Sequence, residues 1–160
     1  MLKPSRSAQG NGGEIKDWRI TGDEAKKIAP VIGRHSLQGF FIGVLPWAGA
    51  TIASFLGYAL ERNTAKSQEQ KEFGNGSIKG LAAPETANNA ACTGSFVPLL
   101  TLGIPGSGTT AILLGALIAL NVTPGPRLMV DDPQNFWSVI ISMYIGNVVL
   151  LIRNLPLFPY

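Results

Sequence analysis

The chain is 160 residues long, room for one ordinary domain, and 46% of it is hydrophobic while only 14% is charged, against ~25% charged in soluble proteins. A net charge of +3 is no signature of nucleic acid here, because the charges are segregated: Met1–His35 holds seven Lys/Arg and four Asp/Glu, and His35–Leu60 holds none. Between Gly80 and Pro126 the one charge is Glu85, and between Pro133 and Tyr160 it is Arg153, so the long uncharged tracts predict a chain that lives in a lipid bilayer.

Met1–Gly13 is polar and carries no apolar leader. With the abrupt apolar end at Leu157–Tyr160, it reads as part of something longer. Thr21 can cap a helix with Glu24 three residues on, and Ile28 and Ile32 repeat at helical spacing. This predicts a short interfacial helix over 21–32, basic through Lys26, Lys27 and Arg34. His35, at the end of that segment, is read as an interface residue rather than a proton relay. Residues 1–35 are therefore a polar N-terminal segment, and 36–160 a membrane domain, itself partial.

Ser36–Leu60 is 25 residues without Lys, Arg, Asp or Glu, enough to cross ~30 Å of hydrocarbon. It is interrupted at Gly43–Thr51 by Pro46 and Gly49. Glu61–Lys79 is a polar loop, with a turn at Phe73–Gly76. Leu81–Leu102 and Ser107–Val122 follow, the first too polar for lipid exposure and the second short for a span. Pro124-Gly125-Pro126 stops that helix, and Val130–Gln134 is a loop. Asn135–Ile152 is the last span, where Ser142 and Gly146, four apart, offer a close helix contact. The basic front and the 61–79 loop both lie inside the cell if Ser36–Leu60 re-enters at its break.

The two interrupted regions overlay without gaps at an offset of 59. Leu45-Pro46 falls on Ile104-Pro105, Gly49 on Gly108 and Thr51 on Thr110. Paired broken segments point to a substrate site in a secondary transporter. A helix starting after each break turns bare N–H groups and a positive dipole end toward an anion. The fold class expected is thus all-α, a polytopic integral membrane protein with discontinuous or re-entrant helices. The residues expected to hold substrate are Pro46, Gly49, Thr51, Asn88, Asn89, Pro105, Gly106, Ser107, Gly108, Thr109 and Thr110. The competing reading is that these prolines and glycines only kink packed helices. Glu85 is the candidate for a coupling cation; preceded by Pro84, it is expected in the first turn of its helix, where capping is the alternative role. Cys92 is alone, so neither an intrachain disulfide nor a metal-ligand spacing exists.

These same residues carry a family resemblance. Gly43-Val44-Leu45-Pro46 through Tyr58 and Glu61, Phe73-Gly74-x-Gly76, Ala83-Pro84-Glu85-x-Ala87-Asn88-Asn89-Ala90 and Val97-Pro98 through Pro105-Gly106 resemble the second half of the large membrane subunit of tripartite tricarboxylate transporters, the TctA family. The resemblance covers about Lys26 to Phe158. It implies a multi-pass carrier of the bacterial inner membrane for citrate-like carboxylates. Such a carrier is driven by Na⁺ or H⁺, has no other cofactor, and works with a periplasmic solute-binding protein and a small membrane subunit. One departure stands out: where the family usually has Gly, this chain has Trp47, which would narrow the site.

A dinucleotide-binding enzyme is the rival class, since Gly106-Ser107-Gly108-Thr109-Thr110-Ala111 satisfies Gly-x-Gly-x-x-Ala and Asp131 lies ~20 residues on. Pro98 and Pro105 rule against a central strand before it, and no Lys follows Gly108 to make a phosphate loop. An inactive membrane fragment is the remaining alternative. No catalytic constellation is present.

Overall fold

The computed structural model describes residues 20–154, and the calls on Met1–Gly13 and on the last six residues lie outside them. Among the described residues every regular element is helical: α1 Gly22–Val44, α2 Gly49–Thr64, α3 Ser67–Gln70, α4 Ile78–Gly94, α5 Phe96–Leu102, α6 Gly108–Ala119, α7 Leu128–Asp131 and α8 Pro133–Asn154.

The start of α1 follows the expected capping logic. Thr21 Oγ1 accepts from the Glu24 N–H at 3.4 Å, and the Glu24 carboxylate accepts from the Thr21 N–H at 2.9 Å, satisfying two of the helix's free donors. The helix does not stop near position 32. It passes through Pro30 and runs on to Val44, so the interfacial helix and the first half of the uncharged tract are one element. The chain turns at Leu45–Ala48 and returns as α2, which makes an antiparallel hairpin.

Small residues set the packing of the first three long helices. Gly39 and Gly43 of α1 lie against the backbone of Ala87 and Ala91 of α4. A Cβ on Gly39 would come 2.7 Å from the Ala87 Cα, and one on Gly43 2.6 Å from the Ala91 Cα. Ascending positions meet ascending positions, so α1 and α4 run parallel. On the other flank of α4, Gly57 sits over Ala83 and Ala53 packs with Ala87 and Ala91, so α2 runs antiparallel to it. Small-x-x-x-small stripes of this kind let helix backbones close to van der Waals contact, and dispersion over a long seam replaces the hydrophobic effect that lipid does not supply. The expected pair Ser142 and Gly146 takes no such part, for nothing lies within 4 Å of a Cβ built on Gly146.

The second half packs with large side chains. Leu100, Leu117, Val122 and Leu128 form its buried core, with Phe96, Leu113, Phe136, Val139 and Ile140 around them. The expected segment Leu81–Leu102 is two helices joined at Ser95, which ends α4 and precedes α5. The expected loop 130–134 is mostly helical, shared between α7 and the first turn of α8. α8 alone among the described helices is long and apolar enough to cross a membrane, with a mean hydropathy of 1.8 and none of that window buried. α1 has the length, but it carries Asp23, Glu24, Lys26, Lys27 and Arg34.

Candidate functional site

The two breaks meet. Trp47, Gly49 and Thr51 from the first, and Gly106, Ser107, Gly108, Thr109 and Thr110 from the second, line a single open cavity of about 530 Å³, with Cys92 and Ser95 between them. The glycines matched by the 59-residue offset, Gly49 and Gly108, are the first residues of α2 and α6. Corresponding positions in the repeat therefore open corresponding helices onto one space.

The two helix starts differ in how they treat their donors. α6 has a reciprocal cap: Ser107 Oγ accepts from the Thr110 N–H at 3.3 Å, and Thr110 Oγ1 accepts from the Ser107 N–H at 2.8 Å. Thr110 is buried with its hydroxyl committed to that cap. The N–H groups of Gly108 and Thr109 have no partner within the helix. α2 follows Ala48, which supplies no side-chain cap, so Gly49, Ala50 and Thr51 all offer backbone N–H groups. Among the described residues, the cavity wall carries no Lys, Arg, His, Asp or Glu. An anion placed there would meet neutral donors and the positive ends of two helix dipoles.

Close approach governs the second break. A Cβ on Gly106 would stand 3.1 Å from that of Ser95, so the loop lies directly on the α4–α5 joint. At the first break Trp47 has φ 71°, a left-handed backbone that favours glycine by roughly 1–2 kcal/mol. The indole is 81% exposed at the cavity rim. Glycine at this position, as the resemblance implies for relatives, is what the turn's backbone asks for.

The remaining expected residues are placed apart. Pro46 and Pro105 shape the turns without lining the cavity. Asn88 faces a neighbouring shallow pocket with Thr51, Ser54 and Tyr58, and its Oδ1 lies 3.7 Å from Cys92 Sγ. Asn89 turns outward and donates to the Glu85 carbonyl at 2.9 Å. Glu85 is not in a first turn. α4 begins seven residues earlier, capped by Ser77, whose Oγ accepts from the Gly80 N–H at 3.1 Å. Pro84 sits inside the helix, where the close packing of α4 against α1 and α2, rather than the Ser77 cap at ~1 kcal/mol, offsets the lost backbone bond and ring clash. A second cavity of about 350 Å³ between α5 and α8 is lined largely by Phe and aliphatic groups. Its Thr93 and Thr101 hydroxyls already donate to backbone carbonyls, which leaves Tyr144 and Asn147 as its polar groups.

Sequence reasoning passed over one cluster. His35 is not exposed; it is wholly buried between α1 and α2 beside Glu61. The available signal was symmetry: His35 and Glu61 stand equally far from position 48, so any hairpin folded at that break brings them together.

Comparison with known proteins follows the same residues. The sequence profile of the tripartite tricarboxylate transporter TctA family matches residues 2–160. An uncharacterized 52.8 kDa protein from the TAR-I ttuC' 3' region of Agrobacterium vitis is 48% identical over 140 residues, covering 88% of this chain and 27% of that protein. A protein from the TAR-II ttuC' 3' region of the same organism is 50% identical over 119 residues, covering 74% of this chain and 48% of its own length. The chain thus spans between about a quarter and about half of these relatives. No solved structure matches it.

Proposed function

We propose a function from one premise: the chain belongs to the tripartite tricarboxylate transporter TctA family. On that footing it is part of the membrane subunit of a carrier, and its cavity takes a carboxylate group of a citrate-like substrate. The anion lies between the N-termini of α2 and α6, bonded by the N–H groups of Gly49, Thr51, Gly108 and Thr109 and by the Thr51, Ser107 and Thr109 hydroxyls. A periplasmic solute-binding protein delivers the substrate, and a small membrane subunit completes the carrier in the bacterial inner membrane. The chain is multi-pass, with α8 one crossing and the two broken regions reaching the site from within the bilayer. Coupling to Na⁺ or H⁺ is assigned to Glu85, the one acid of the Gly80–Pro126 tract.

The observation that carries this reading is the meeting of two repeat-related helix starts on one cavity without fixed charge. Cys92, the chain's single cysteine, lines the same cavity and is exposed, so it reports occupancy directly. Citrate should slow the reaction of Cys92 with a small maleimide in membranes. The Thr51→Val, Thr109→Val double variant should need on the order of a hundredfold more citrate for equal protection, since two hydrogen bonds to a charged carboxylate are worth ~3 kcal/mol together. Equal slowing by citrate and by an uncharged sugar would overturn the assignment.

A further inference from the structure

We infer that Asn88 and Tyr58 make a second compartment of the substrate site, one that reads an uncharged hydroxyl on the skeleton of the bound carboxylate. Granted the carrier reading, on which this rests, the cargo is a hydroxycarboxylate rather than any carboxylate. A cavity of about 400 Å³, walled by Thr51, Ser54, Phe55, Tyr58, Pro84 and Asn88, lies along the α2–α4 groove. It adjoins the cavity between the helix starts, for Thr51 lines both. On α4 the step from Cys92, in the first cavity, to Asn88, in the second, is about one helical turn, ~5.4 Å. A small molecule held by a carboxylate between the helix starts therefore carries its neighbouring carbons into the second cavity.

The two cavities offer different chemistry. Beyond Thr51, the second is built from interior turns of α2 and α4, so no helix start turns free N–H groups into it. Among the described residues its wall carries no charged side chain. The next charges along the same helices are Glu85, one turn from Asn88, and Arg62, one turn past Tyr58, and their signs oppose. A second carboxylate here would lose water without gaining a counter-charge. Ser54 Oγ already donates to the Ala50 carbonyl at 3.0 Å, which leaves the Tyr58 hydroxyl and the Asn88 carboxamide, with Thr51 at the junction. Asn88 Oδ1 meets the Cys92 thiol at 3.7 Å, a donor too weak to hold the amide against a better partner. A carboxamide carries donors and an acceptor, and a phenol is both at once. A hydroxyl is both as well, so it satisfies them whichever way the amide is set, whereas a carboxylate can only accept. The Tyr58 ring packs edge-on against Phe73, with centroids 5.5 Å apart, so its hydroxyl is positioned by packing.

The test compares citrate with tricarballylate, which is citrate without its hydroxyl. The reading is the concentration of each that half-protects Cys92 from a small maleimide, in membranes containing the full chain. The wild type should need roughly tenfold less citrate than tricarballylate, the worth of two neutral hydrogen bonds. Tyr58→Phe keeps the ring against Phe73 and removes only the hydroxyl, and Asn88→Leu removes the carboxamide at similar volume. Each should raise the citrate requirement about threefold and leave that of tricarballylate unchanged. Equal requirements in the wild type, both below that of an uncharged sugar, overturn the hydroxyl compartment and leave the carrier reading standing. Variants that weaken both compounds alike also overturn it, because a merely structural Asn88 or Tyr58 would do the same. Protection by citrate no better than the sugar's overturns both readings together.

Discussion

The bundle of α1, α2 and α4 and the assembly of α5 to α8 solve the same problem in opposite ways. In the bundle the contact residues are Gly39, Gly43, Ala53, Gly57, Ala83, Ala87 and Ala91, and helix backbones touch. In the second half, Leu100, Leu117 and Leu128 fill a core between helices that stay farther apart, and the whole length of α8 has no buried residue. A small-residue seam has nowhere to yield, whereas a surface of long aliphatic chains is what lipid or further protein covers. The difference assigns roles: the bundle fixes the geometry of the first break, and the second half extends with α8 the apolar outer face that Leu37, Phe41 and Phe55 begin on the bundle.

The largest expected effect breaks that contrast directly. Gly43→Val puts a side chain into the Ala91 backbone, where neither helix can move without opening the whole seam, and should destabilise the chain by about 3 kcal/mol or more. Gly146→Val in α8 adds the same atoms to open space and should change stability by no more than about 0.5 kcal/mol. Thermal unfolding of both variants in detergent micelles is the measurement, and equal losses would mean that the halves are packed alike.

Trp47→Gly sharpens the comparison at the place where the bundle touches the site. The substitution removes the left-handed strain at φ 71° but adds the chain entropy of glycine. The net expectation is a gain of about 0.5–1 kcal/mol. It also clears an exposed indole from the cavity rim, so Cys92 should react faster with a bulky maleimide while its reaction with a small one is little changed. A stability loss on this substitution would show that the indole is held by packing rather than tolerated on a strained turn.

What could be read in advance was largely what is local. The Thr21–Glu24 cap, the breaks at Pro46 and Pro105 and the resumption of a helix after each depend on a few neighbouring residues, and the sequence pattern contains them. The last span is legible for the same reason, since Asn135–Ile152 is continuous and apolar. What escaped is tertiary. Pro84 looks like a helix start until Ser77 is seen to cap the helix earlier. Gly39 and Gly43 look like loose points in a span until Ala87 and Ala91 lie against them. Glu61 looks like the first residue of a polar loop until α2 carries it back beside His35. Small-residue spacing also misleads by itself: Ser142 and Gly146 have it, and no helix among the described residues uses it.

The smallest expected effect lies at the start of the bundle, outside its seam. The Thr21 N–H and then the Thr21 hydroxyl bond the Glu24 carboxylate and hold its pKa below the ordinary 4.5. A carboxyl whose folded value is depressed contributes its stability above the unfolded value and loses it as pH falls through the folded one. Acidification below the usual carboxylate range should therefore fray the first turn of α1 and leave the Gly39–Gly43 seam intact. Amide exchange should rise at Glu24 and Ala25 and stay slow at Gly43. Glu24→Gln retains an acceptor for the Thr21 N–H but not the charge, and should remove the pH dependence while raising first-turn exchange at neutral pH toward the value the wild type reaches in acid. If protection at Gly43 fell together with that at Glu24, the cap and the seam would be one cooperative unit. The stability of the bundle would then be shared along α1 rather than concentrated where the small residues meet.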